Sequence, residues 1–70
     1  MLPLTLADSG EEIIIRKVGG APDVKKHLED MGFVAGGVVK LISTNAGNVI
    51  VSVKDVRVAL SRELAQKIMV

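Results

Sequence analysis

Four short runs of β-branched residues, "EIIIRKV", "GVVKLI", "NVIVSV" and "VRVAL", dominate the chain and limit what it can fold into. Valine and isoleucine lose side-chain freedom in a helix and pack well on a pleated surface, so such runs read as strands. The runs stop at glycine, serine or a charged pair, at or near residue types that form turns. A chain of 70 residues makes one small domain, and a domain of that size buries only about 60% of the surface its unfolded form exposes. A large enclosed active site does not fit inside it.

Between the first and second runs the apolar period changes. Val24, Leu28 and Met31 stand at i, i+4 and i+7, one face of a helix over Pro22–Met31. Pro22 suits the first helical position, and Asp23 places a negative charge near the positive end of the helix dipole. Gly32 can take the left-handed conformation of a helix stop, which lets Phe33 fold back onto Leu28. Gly32, Phe33, Leu28 and the following Gly36 are therefore read as structural.

The remaining elements follow in order. Leu4 and Leu6 form an apolar anchor, and "ADSGEE" a polar turn. The first strand spans Glu12–Val18, with Ile13 and Ile15 on one face and Ile14, Arg16 and Val18 on the other. A hairpin is predicted from Val38–Ser43 and Val49–Val53 around a turn through Asn45–Asn48. Lys54 and Asp55 reverse the chain into Val56–Leu60, Ser61 caps a helical turn in "RELAQ", and "KIMV" closes by pairing with the first strand. The predicted class is mainly β with short helices: a small, partly open barrel of about five strands, with one helix between strands 1 and 2 and a helical turn before the last strand. The apolar pattern runs from Leu2 to Val70 without a linker or repeat, so residues 1–70 are read as one domain.

Charge and composition weigh against several functions, with a small nucleic-acid-binding barrel and a weakly metal-binding regulatory domain kept as alternatives. Nine Lys and Arg face eight Asp and Glu, a net charge of +1, too little to gather nucleic acid around the domain. Phe33 is the only aromatic residue, so no platform for stacked bases exists. Cysteine is absent, which removes disulfides and thiolate metal sites. No apolar run approaches the length of a membrane span, and the N-terminus lacks the pattern of a secretory signal; a cytoplasmic protein without membrane insertion is expected.

The sequence "PLTLADSGEE…I…GG", the segment "LEDMGFVAGG" and the ending "VALSRELAQKIMV" together resemble the FeoA family over essentially the whole chain. Two positions depart from its usual motif: His27 stands where an Arg is common and Ala35 where a Pro is common. The resemblance implies an SH3-like barrel and a cytoplasmic, non-enzymatic accessory of ferrous-iron uptake. It also implies the partner, the cytosolic GTPase region of a FeoB-type membrane transporter. The fold resembles, in addition, the SH3-like domain attached to iron-dependent repressors.

The residues themselves offer a few candidate sites. His27 and Asp23 share a helix face at i, i+4, a weak candidate for Fe(II) or another divalent metal, but a tight site wants three or four convergent ligands. The expected cofactor complement is none. No Ser or Thr lies in a motif that would let His27 activate it, and neither "GGVVKL" nor "VGGAPD" ends as a phosphate loop does. Lys25 and Lys26 are either solvated partners of Glu29 and Asp30 or, with Arg16, Lys17 and Arg57, a basic patch for an acidic protein.

The strands also carry more apolar side chains than one small interior needs. Ile14, Val38, Ile42 and Ile50 fall opposite the residues expected inside. They are either covered by the helix and the N-terminal arm or form a contact surface for a partner or a second copy, extended by Val34 and Phe33. Ile14, Val34, Ile42, Ile50, Lys25 and Lys26 are the resulting partner-binding candidates.

Overall fold

The computed structural model describes residues 1–45 and 47–70. In chain order it has β1 (Glu12–Ile14), β2 (Lys17–Val18), α1 (Pro22–Asp30), β3 (Val38–Asn45), β4 (Asn48–Val53), β5 (Val56–Ser61), α2 (Arg62–Ala65) and β6 (Ile68–Met69). A single 3-10 turn, Leu4–Leu6, precedes them. The strands form an antiparallel sheet in the order β1-β3-β4-β5 and a second sheet of β2 and β6. The class is mainly β and SH3-like, with two sheets rather than a closed barrel among the described residues.

The predicted first strand is two strands, because the chain bends at Ile15 and Arg16. The Ile15 N–H donates to the Gly37 carbonyl at 2.8 Å and the Ile15 carbonyl accepts from Gly36 N–H at 2.7 Å. Arg16 N–H then donates to Met69 in the other sheet, also at 2.8 Å. The bend turns the alternation: Ile15 and Val18, expected on opposite faces, are both buried, whereas Ile13 is only half-buried. This split raises the strand count from five to six. The predicted closure of the last strand on the first holds for its second half, with Lys17 opposite Met69 and Val18 opposite Ile68. Leu2 extends that sheet by exchanging two backbone bonds with Val70, at 2.9 and 2.7 Å. Of the N-terminal anchor pair, Leu4 is buried and Leu6 is 67% exposed.

Among the described residues the core is one apolar cluster and contains no polar side chain. Val39, Leu41, Val49, Val51, Val53 and Leu60 supply it from the inner face of the large sheet, and Ile15, Val18 and Ile68 from the bend and the small sheet. Leu4, Ala65, Leu28 and Phe33 close it. The stop of α1 has the predicted form. Gly32, at φ +103°, donates its N–H to the Glu29 carbonyl at 2.9 Å, and Phe33 N–H donates to the Leu28 carbonyl at 3.0 Å. Those two bonds and the burial of both Leu28 and Phe33 make a Schellman stop with its apolar contact. The start of α1 is looser. Ala21 at the N-cap makes no side-chain cap bond, so that end relies on Pro22 and on the charge of Asp23.

The other turns agree with the sequence reading in kind. Leu64 N–H donates to Ser61 Oγ at 3.2 Å and caps α2, and Ala65 beneath it is buried. The β3–β4 turn is closed by the pair Asn45 and Asn48; Ala46, within the predicted turn, lies outside the described residues. Between β4 and β5, Lys54 and Asp55 both have positive φ, 52° and 63°, and Val53 pairs with Val56. This is the twist that a two-residue hairpin requires, formed without glycine.

Replacing Gly32 by alanine forces a side chain into positive φ and is expected to lower unfolding free energy by about 1–2 kcal/mol in urea titrations. Gly19→Ala, whose added Cβ meets only the Lys67 carbonyl at 3.5 Å, serves as the control and loses less than half as much. In the opposite direction, Asp55→Gly relieves the left-handed strain and is expected to raise stability by about 0.5–1 kcal/mol in the same titration.

Candidate protein-contact surface

Register decides which side chains share the outer face of the large sheet. The inner residues alternate with Val38, Lys40, Ile50, Ser52, Arg57 and Ala59, which therefore point outward. Across the strands these residues form three rows. Ile14 lies opposite Val38; Glu12, Lys40, Ser52 and Arg57 form a second row; Ile50 lies opposite Ala59. The middle row is polar throughout and cuts the predicted apolar face in two.

The two halves differ in exposure. At one end of the sheet Ile14 is 57% exposed and its partner Val38 is 47% exposed. Val34, 37% exposed, belongs to the same end, because its carbonyl accepts from Gly37 N–H and the turn is bonded to Ile15. At the other end Ile42 and Ile50 are half-buried. Ile42 is the extra residue of a bulge, since Leu41 pairs with Val51 and Ser43 with Ile50. The sequence reading that grouped Ile14 with Ile42 and Ile50 is thus corrected by the register. Phe33, expected to extend the surface, is fully buried under the helix stop and contributes nothing to it.

The charged candidates are spread over separate elements. Lys25, Lys26 and His27 are all exposed on α1. Arg16 and Lys17 lie at the bend and in β2, and Arg57 in β5 at the far edge of the other sheet. The five basic residues thus come from α1, the bend, β2 and β5. Among the described residues no three His, Cys, Asp or Glu side chains are grouped to hold a metal ion, so His27 and Asp23 remain a pair on a helix surface. A shallow depression of about 330 Å3 opens on the outer sheet face, lined by Glu12, Val38, Lys40, Ser52, Lys54 and Asp55. The sequence reading missed it, because its walls come from three strands and a turn whose adjacency only the register creates.

Residues 2–70 match the family model for the FeoA domain. The chain belongs to the FeoA family. A protein of Methanocaldococcus jannaschii that carries the name Fe(2+) transport protein A is 40% identical over 70 residues, covering all of this chain and 85% of that one. The crystal structure of an iron uptake regulatory protein, FeoA, superposes with a TM-score of 0.87 at 28% identity, covering 97% of this chain and 90% of that one. A manganese-dependent transcriptional repressor shares the fold, with a TM-score of 0.83 at 17% identity, over 94% of this chain and 38% of the repressor. The FeoA family is one of ferrous-iron transport. Among the described residues, no helix of this FeoA domain is long and apolar enough to cross a membrane.

The division between core and surface gives a direct test with two adjacent isoleucines. Ile14→Ala removes an exposed side chain and is expected to change stability by less than about 1 kcal/mol, whereas Ile15→Ala empties a buried position and loses about 2–5 kcal/mol. Thermal or urea unfolding of both variants makes the comparison.

Proposed function

We propose that this FeoA domain acts without catalysis of its own, as a cytoplasmic accessory of ferrous-iron uptake that binds the cytosolic GTPase region of a FeoB-type transporter. The observation that carries the reading is the exposed apolar pair Ile14 and Val38, with exposed Val34 in the adjoining turn, on a domain whose buried side chains, among the described residues, are all apolar. Chemistry at a protein site needs polar groups held in a defined, partly desolvated place. Here the polar side chains stand on the outer faces, and of the exposed apolar residues Ile14 and Val38 are held side by side by strand pairing, as contact anchors are. Lys25 and Lys26 on α1 supply positive charge that would speed and orient encounter with an acidic face. In this reading iron is the transporter's cargo, and His27 takes no part in holding it.

Titrating the isotope-labelled domain with a purified FeoB GTPase region is expected to shift the NMR signals of Ile14, Val34 and Val38. Ile14→Asp should weaken binding by about tenfold or more with the fold intact, because the side chain is exposed. Absence of any shift at high micromolar partner would contradict direct binding.

A further inference from the structure

β5 is the longer of the two edge strands of the large sheet. We infer that it pairs with an extended segment of a partner protein that presents a carboxylate side chain to Arg57 and apolar side chains on either side of it. The inference rests on the proposed function only for the source of that segment.

The sheet has two edges, β1 and β5. β1 is three residues long, and the chain leaves it at once for the bend. β5 is six residues long, and its register with β4 runs unbroken from Val56 to Ser61, without proline or bulge. Proteins normally blunt an exposed edge by shortness, proline, a bulge, lysines or a covering helix; β5 has the charge of Arg57 and the packing of α2 against the strand, which still leaves Arg57 and Ala59 exposed. The tight turn at Lys54 and Asp55 fixes which backbone groups face outward. It makes Val53 and Val56 a hydrogen-bonded pair, so by alternation Val56, Val58 and Leu60 bond to β4. The N–H and C=O groups of Arg57 and Ala59 consequently point away from the sheet. Both residues are exposed.

Charge then selects the occupant. Across the outer face Lys40 has Glu12 as one neighbour, but the row ends on Arg57, which among the described residues is paired across the strands with Ser52 alone. An incoming strand would place one side chain opposite this guanidinium, and a carboxylate there gains a cross-strand ion pair. Two residues along, the incoming side chain would lie over Ala59, which is small and sits beside the half-buried Ile50. On the opposite face it would meet Val56, an apolar residue left 59% exposed at the start of the edge. Backbone bonds give such pairing its affinity, and alternate side chains give it specificity.

Amide hydrogen exchange separates this mode from others. Two probes are used: a purified FeoB GTPase region, and a short blocked peptide of alternating valine and threonine with one central glutamate. Each is expected to slow exchange at Arg57 and Ala59 by about tenfold or more at saturation, with little change at Val58 and Leu60, which are already bonded. Ala59→Pro, which removes an outward N–H at an edge position that tolerates proline, should abolish that protection. Arg57→Glu should weaken binding of the glutamate peptide while a lysine-centred peptide gains. Protection by the peptide alone supports the edge site and counts against the proposed partner. GTPase binding that shifts only the Ile14 end leaves the proposed function standing and overturns the edge site. Protection that grows with the domain's own concentration, in the absence of either probe, identifies a second copy as the occupant and also overturns it.

Discussion

Phe33 is the only aromatic side chain in the chain, and the rest of the structure depends on its complete burial in the one core cluster it shares with Leu28 and the inner sheet residues. Removing a buried phenylalanine typically costs about 3–5 kcal/mol, and a domain of this size has about that much net stability in all. One side chain thus weighs as much as the fold's whole margin. Its position follows from the helix stop: Gly32 reverses the backbone, the Phe33 N–H reaches the Leu28 carbonyl, and the ring turns inward. Once this latch is set, α1 is fixed against the sheets, Val34 is left outside, and the chain enters β3 in the register that puts Val39 and Leu41 in the core.

That arrangement separates folding from contact. The inner face of the large sheet uses valine and leucine for stability, and the outer face is free to carry a polar row, a small apolar cluster at the β1 end and an open edge at β5. A small domain with one core has few other places to put function. A FeoA domain working by contact therefore has to use its outer face, its helix surface or its edges. Lys54 and Asp55 illustrate the coupling, since the same strained turn sets the register of β5 and lines the outer depression.

Much of this is legible in the sequence because the signals are local. The helix stop is written in consecutive residues from Leu28 to Phe33, the α2 cap in Ser61, and the hairpins in runs bounded by turn residues. The family, too, is legible, from motifs spread along the chain. The bend at Ile15 and Arg16 is not. A run with isoleucine at three successive positions alternates equally well in either phase, and only contacts with Gly36, Gly37 and Met69 break the tie. The split of the outer face is hidden for a similar reason. Whether Ile14, Ile42 and Ile50 adjoin depends on cross-strand register and on the bulge at Ile42, which are properties of paired strands rather than of any one run.

The Gly32–Phe33 latch belongs to the cooperative core, not to a loop that opens for a ligand. Native-state hydrogen exchange at the Phe33 amide, followed against urea, tests it most directly. This amide is expected to exchange only through global unfolding, with the same free energy and urea dependence as the amides of Leu41 and Val51. Exchange of Phe33 through a low-energy, urea-independent opening while Leu41 and Val51 stay protected would contradict it.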